Sequence, residues 1–293
     1  MRLGISTPVL VQHPGTRSAW EATATIDDVA EIAQCADRLG FHHLTCSEHV
    51  AVPVEVAAER GGTYWDPLAT FGYLAARTRQ IRLATQVLVL GYHHPLEIAK
   101  RYGTLDRISG GRLILGLGVG TLQEEFELIG APFGDRGARA DDALAAIRAS
   151  MSRSQPEYHG AFYDYEGFVV QPHAVQERVP IWIGGRTKRS LRRAFDHGDG
   201  WVPFGLSASE LKAMLETVNL PTGFDVVLSA GLPLDPLGNP DKTVKTLARL
   251  RDVGATIAGT SLVARAAAHY GQQVEELHRL ARDEGVEFTP GQR

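Results

Sequence analysis

Three short runs of this 293-residue chain combine residue types that could do chemistry. Ser47-Glu48-His49 sets a hydroxyl, a carboxylate and an imidazole side by side. The carboxylate and the imidazole can hold and protonate a bound ring, and the alternative is a helix cap in a solvated loop. Gly116, Gly118 and Gly120 alternate at the far end of the apolar run Leu113–Leu115. Such spacing serves either a flat or bulky group close to the backbone or very tight packing. Ile181-Trp182-Ile183 leads into Gly184-Gly185-Arg186-Thr187-Lys188. Two glycines expose N–H groups there, a helix start adds positive potential, and Arg186, Thr187 and Lys188 supply donors, a set that suits a phosphate. The alternative is a tight turn with a threonine cap and a solvated basic face.

Other chemistries lack their residues. The pairs His42-His43 and His93-His94 have no carboxylate–histidine spacing around them, so no metal site is expected. Gly116-x-Gly118 also begins like a dinucleotide loop, but Thr121 stands where the third glycine belongs. No Gly-x-Ser-x-Gly element points to a nucleophilic triad. Cys35 and Cys46 read as reduced core thiols. A net charge of −4 gives no reason to expect nucleic acid or an anionic membrane surface as a partner. No apolar run reaches the roughly 18 residues of a membrane span, and the start MRLGISTPVL lacks the form of a secretory signal. A cytoplasmic protein is the expectation.

These runs need positioning, and the chain alternates strand-like and helix-like patterns throughout. The expected strands are Leu3–Leu10, His43–Cys46, Ile81–Leu90, Leu113–Gly118, Ile181–Ile183, Trp201–Phe204, Phe224–Ala230 and Ala255–Gly259. The helices between and after them include residues 26–39, Asp66–Arg77, Pro95–Ile108, Arg136–Met151, Thr187–Phe195, Ala208–Val218, Asp241–Val253 and Leu262–Glu284. Eight βα units in one chain of this length predict a single domain over 1–293, an α/β fold of the (β/α)8 TIM-barrel type, with an open doubly wound sheet as the alternative. In a barrel the loops leaving the C-terminal strand ends build the site. Ser47–His49, Gln86, the Gly116–Gly120 run and Gly184–Thr187 all fall there, and the excursions at 50–65 and 119–135 are insertions at that face. A hairpin within Tyr158–Val170 joins a helix to the next strand and belongs at the opposite face.

With these residues placed, the chain resembles the luciferase-like monooxygenase superfamily, and within it the branch of coenzyme F-420-dependent oxidoreductases. The matching pieces are GFHHLTCSEHV, RLATQVLVLGYHHPLEIAKRYGTLDRISGGRLILGLGVG, EEFELIGAPFGDRGARADD, YHGAFYDYEGF and PIWIGGRTKRSLRRAFDHGDGWV, in order over about residues 1–205. The resemblance implies a redox barrel with a ring cofactor across the strand ends. It implies that Glu48 and His49, with Ser47 beside them, lie near the headgroup and carry acid–base work. It implies a bulge with a non-proline cis bond at Gln86–Val87 behind the ring, and Gly118, Val119 and Gly120 along it. Gly184, Gly185, Arg186 and Thr187 would take the phosphate. The family's second-strand acid is more usually aspartate than glutamate. Thr121 stands where sugar-phosphate dehydrogenases of the family carry a glutamate, so either Glu124 or Glu125 reaches in or that step is absent. The expected function is hydride transfer between coenzyme F-420 and a small organic substrate. The alternative is a monooxygenase using reduced FMN; a metal-dependent barrel hydrolase is a poorer third. A homodimer is a further expectation.

Overall fold

The computed structural model describes residues 1–289. Its strands are β1 (Arg2–Ile5), β2 (His43–Cys46), β3 (Arg82–Thr85), β4 (Leu88–Val89), β5 (Leu113–Gly118), β6 (Tyr158–His159), β7 (Asp164–Tyr165), β8 (Ile181–Gly184), β9 (Gly200–Val202), β10 (Asp225–Ser229) and β11 (Ile257–Thr260). The helices are α1 (Ile26–Arg38), α2 (Val54–Arg60), α3 (Pro67–Arg77), α4 (Pro95–Ser109), α5 (Gln123–Leu128), α6 (Arg136–Ser150), α7 (Lys188–His197), α8 (Ala208–Leu215), α9 (Pro240–Val253) and α10 (Ala267–Asp283). All strands but β6 and β7 pair in parallel, in the order β3-β2-β1-β11-β10-β9-β8-β5-β4. The β3–β5 pairing, Leu83 to Leu113 and Ala84 to Ile114, closes the sheet into an eight-stranded (β/α)8 barrel in which β3 and β4 share one stave.

The barrel closes because its strands are apolar on both faces. Ala84, Ile114, Trp182, Val202, Val227 and Ile257 fill the interior. The outward side chains, Leu83, Leu115, Ile181 and Val226 among them, pack on the helices in one large core. Helix starts are fixed by side chains, for example Asp66 accepting from the Ala69 N–H with Pro67 at the first helical position. The hairpin β6–β7 forms within the expected span.

Three strand or helix expectations needed correction. Leu3–Leu10 is strand only to Ile5, because Val9 turns to φ 73° and gives its N–H to Glu21 rather than to a ladder. Ile81–Leu90 is two pieces rather than one strand: the ladder breaks after Thr85, and the Gln86–Val87 peptide bond there is cis, as the family resemblance implied. Leu262–Glu284 becomes helical only at Ala267, since Leu262 is held in a bridge to Leu234. The excursions at 50–65 and 119–135 each contain a short helix, α2 and α5.

Candidate active site

The break in the third stave organises the barrel mouth. Gln86 gives its N–H to the Cys46 carbonyl (2.8 Å), and Ser47 Oγ donates to the Gln86 carbonyl (2.6 Å). Displaced from the ladder, the chain crowds its neighbours. A Cβ on Gly116 would lie 1.8 Å from the Thr85 carbonyl oxygen, and one on Gly118 would lie 2.7 Å from Val87 Cγ2. On the other side a Cβ on Gly184 would lie 2.8 Å from Val87 Cγ1. The alternating glycines are therefore required by the protein's own backbone and by Val87, which they clamp from both sides. Gly120, at φ 76°, makes the same allowance for Phe126 and Val89.

Phe126 belongs to α5, a helix too short to show a periodic signal. Its ring packs where Gly91 and Gly120 leave room, and this seating places the adjacent Glu125 under the cavity. Glu125 is 1 % exposed and accepts four hydrogen bonds. They come from His49 Nδ1 (2.7 Å), the Tyr92 hydroxyl (2.7 Å), and the N–H groups of Val50 (2.5 Å) and Ala51 (3.1 Å). A carboxylate only accepts, so Nδ1 carries the His49 proton and Nε2 is left for other partners. The His49 ring also meets Tyr64 edge-on at 4.5 Å. Burial, with Glu125 beside it, pushes the Tyr92 phenol well above its ordinary range, so Tyr92 stays a donor.

Glu48 serves a different purpose from its neighbour. One oxygen accepts from His93 Nε2 (2.6 Å) and the other from the Val89 N–H (2.7 Å). It thus ties the β2 end to the segment just past the break. Burial disfavours charge on His93, but the hydrogen bond and charge of Glu48, with Glu97 at 3.7 Å, outweigh it and hold the imidazole above its usual range. The pair His93-His94 is split: His94 caps α4 by accepting from the Leu96 N–H. His42-His43 sits at the opposite pole of the barrel, where the His43 ring occupies the space beside Gly4 and its Nε2 has no partner among the described residues.

At the other end, Thr187 caps α7. Its Oγ1 accepts from the Ser190 N–H (3.2 Å), and its own N–H goes to Ser190 Oγ (3.1 Å). The Arg186 side chain makes no hydrogen bond among the described residues; it lies beside the Phe204 ring, 6.0 Å from its centroid. Arg193, 6 % exposed, donates to Asp141 and to the Gly137 carbonyl. Arg136 stacks on Phe133 at 3.7 Å and donates to the Gly120 and Phe133 carbonyls.

The broken stave, the glycine run and the start of α7 meet at one cavity of about 590 Å³ at the C-terminal strand ends. Ser47, Glu48, His49, Gln86, Val87, Gly118, Val119, Gly120, Gly184, Gly185, Arg186 and Thr187 are all on its wall. The sequence reading did not single out Val11, Tyr64, Tyr92, Arg136, Arg193 or Phe204, which join them. Tyr64 lay in the 50–65 excursion, Arg193 on α7, Phe204 at the end of an expected strand and Arg136 at the start of an expected helix; Val11 and Tyr92 carried no such signal. Among the described residues, the one group close enough to share a metal ion is Glu157, His159 and Glu166. It is exposed on the hairpin and lies off this cavity. No described helix is long and apolar enough to cross a membrane.

The model of the luciferase-like monooxygenase family matches residues 1–230. The chain belongs to that family. Its relatives include an uncharacterized protein of Mycobacterium tuberculosis, 30 % identical over 267 residues, 85 % of this chain and 92 % of the other. Among solved structures it is similar to the monooxygenase RslO1 from Streptomyces bottropensis, with a TM-score of 0.78, 22 % identity, and coverage of 98 % of this chain and 100 % of that one. It is also similar to the coenzyme F-420-dependent tetrahydromethanopterin reductase from Methanopyrus kandleri, with a TM-score of 0.72, 14 % identity, and coverage of 97 % and 99 %. The luciferase-like barrel and its oxidoreductase class are thereby established; cofactor and substrate are separate questions.

Proposed function

We propose that the protein passes a hydride between coenzyme F-420 and a small organic molecule. The observation that carries the choice of cofactor is charge. Arg136, Arg186, Arg189 and Arg193 line one end of the cavity, and Asp141 is the carboxylate paired with two of them. FMN ends in a single phosphate, whereas F-420 carries a phosphodiester and carboxylates beyond it. A surplus of guanidinium groups suits the more highly charged tail.

The residues present fit such a group. Val87, clamped between Gly118 and Gly184, with Val89 and Val119 beside it, offers an apolar surface for a flat ring. The cap of α7 engages the N–H groups of Thr187 and Ser190, while those of Lys188 and Arg189 make no hydrogen bond among the described residues, which suits a phosphate. The bound deazaflavin would supply hydride donor or acceptor chemistry. The chain's own part is to orient, exclude water and move a proton. Tyr64 and Phe204 wall the cavity. His49, its Nδ1–H fixed on Glu125, exchanges a proton at Nε2, and Glu125 stabilises the imidazolium when the ring is charged.

A reduced-FMN monooxygenase is the second reading, favoured by the likeness to RslO1. Anaerobic incubation with F-420 and a panel of alcohols and carbonyl compounds separates the two. Loss or gain of the oxidised deazaflavin's absorbance without oxygen supports the proposal. Oxygen consumption with reduced FMN, and no anaerobic change with F-420, overturns it.

A further inference from the structure

A second cavity of about 250 Å³ opens on the other half of the barrel mouth, beyond the ends of β1, β10 and β11. It shares Val11, Ser47 and Gln86 with the larger cavity, so the two are neighbouring chambers of one cleft. The proposed cofactor seat does not use it.

Its lining differs in kind from the first. Ser6 and Ser261 belong to its wall, and their hydroxyls make no hydrogen bond among the described residues. Tyr270, 2 % exposed, also borders it, with its hydroxyl oxygen closed off from the chamber beside the Leu262 backbone.

The wall is held in place with some force. Val9 is β-branched yet stands at φ 73°, a conformation that persists only where the surroundings enforce it and that gathers at ligand sites. Glu21 enforces it. This buried carboxylate accepts from the N–H of Val9 (2.8 Å) with one oxygen and from that of Ser18 (2.7 Å) with the other.

Charge then narrows the ligand. Both Glu21 oxygens are committed to backbone, so the chamber holds no free carboxylate for an amine or a metal ion. Arg17 and His13 stand exposed at its rim, and Arg17 donates to Gln12 (3.2 Å). The Cys46 thiol is pushed up to about 12, mainly by burial, so it is no nucleophile at neutral pH. What remains are hydroxyls, which both donate and accept. They match an uncharged oxygen-rich molecule better than a phosphate or a cation. The volume is that of about eight waters at roughly 30 Å³ each, room for a small ring.

We infer that this chamber binds the uncharged, hydroxyl-rich part of the substrate, a polyol or unphosphorylated sugar, through Ser6 and Ser261. The word substrate rests on the proposed function; the binding does not. Saturation-transfer NMR on the full chain, with glycerol, glucose and myo-inositol as probes and inorganic phosphate as comparison, tests it. At least one polyol should bind, and Ser6→Ala and Ser261→Ala should each weaken it threefold or more. Both variants should keep the wild-type affinity for F-420 and denature in urea no earlier than wild type. Failure of all three polyols to bind overturns the inference. So does binding that both substitutions leave unchanged, or phosphate binding that Ser261→Ala abolishes. Polyol binding lost on these substitutions, in a protein that binds neither F-420 nor FMN, would keep the chamber and overturn the proposed function.

Discussion

Replacing Glu125 with glutamine probes the group that holds His49 without changing its shape. The wild-type carboxylate accepts from His49, Tyr92, Val50 and Ala51. In Glu125→Gln the amide oxygen can keep the two backbone N–H groups. The amide nitrogen then faces His49 and Tyr92, both of which donate in wild type. Tyr92 can turn and accept. His49 can accept only by giving up its Nδ1 proton and carrying it on Nε2. Hydrogen bonds to charged groups contribute about 1.5–3 kcal/mol and neutral ones about 0.5–1.5. Four bonds losing their charge assistance, two of them also reversed, should destabilise the fold by about 2–4 kcal/mol. The checks are urea denaturation and the ring-nitrogen NMR shifts of His49. A fold within 0.5 kcal/mol of wild type, the usual scatter of neutral surface changes, together with an unaltered Nδ1–H tautomer, would refute the assignment of Glu125 as the residue that orients His49.

Three further outcomes follow from the same geometry. Gly118→Ala and Gly184→Ala each drive a methyl to within 2.8 Å of Val87, so each should cost about 1–3 kcal/mol of stability and weaken cofactor binding. Gly72→Ala, helical with nothing within 4 Å, should instead stabilise by about 0.5–1 kcal/mol, and equal effects in melting experiments would contradict the crowding argument. Burial, then Arg2 and Arg82, lowers the His43 imidazole from 6.5 to about 3, so the unfolded chain binds the extra proton between those values. Stability from this group is therefore full above pH 6.5 and falls by about 1.4 kcal/mol per unit on acidification towards 3. His42, bonded to His43 and also lowered, acts in the same sense, so urea midpoints at pH 7.5 and 5.0 should show a loss of stability that shrinks in His43→Asn. Arg186 makes no internal hydrogen bond, so Arg186→Ala should leave stability unchanged while weakening cofactor binding by about 1.5–3 kcal/mol, less at high salt; isothermal titration at two salt concentrations reads both.

The barrel was legible in the sequence because each βα unit announces itself locally: an apolar run, a cap, a periodic face. Leu113–Gly118 and the start of α6 at Arg136 come out with the expected bounds. What was not legible depends on partners distant in sequence. Periodicity alone does not place the break after Thr85; the family resemblance put the bulge and its cis bond at Gln86–Val87, where they stand. The glycine spacing at 116–120 was visible, but its cause, Thr85 and Val87, lies some thirty residues upstream. Val9 leaves its strand only because Glu21 accepts its N–H. The sequence left Glu124 and Glu125 as equals. Packing of Phe126 onto Gly91 and Gly120 turns Glu125 inward and leaves Glu124 exposed. Glu48 and His49 read as one acid–base pair, yet each is committed to a different partner, His93 and Glu125.

The central claim is that the cavity between Val87 and the start of α7 seats coenzyme F-420. Fluorescence titration of the purified chain with F-420, and with FMN as competitor, tests it most directly. The account predicts saturable F-420 binding at least tenfold tighter than FMN, a margin of about 1.4 kcal/mol, with the difference lost in Arg186→Ala. FMN binding tenfold tighter than F-420 would contradict it.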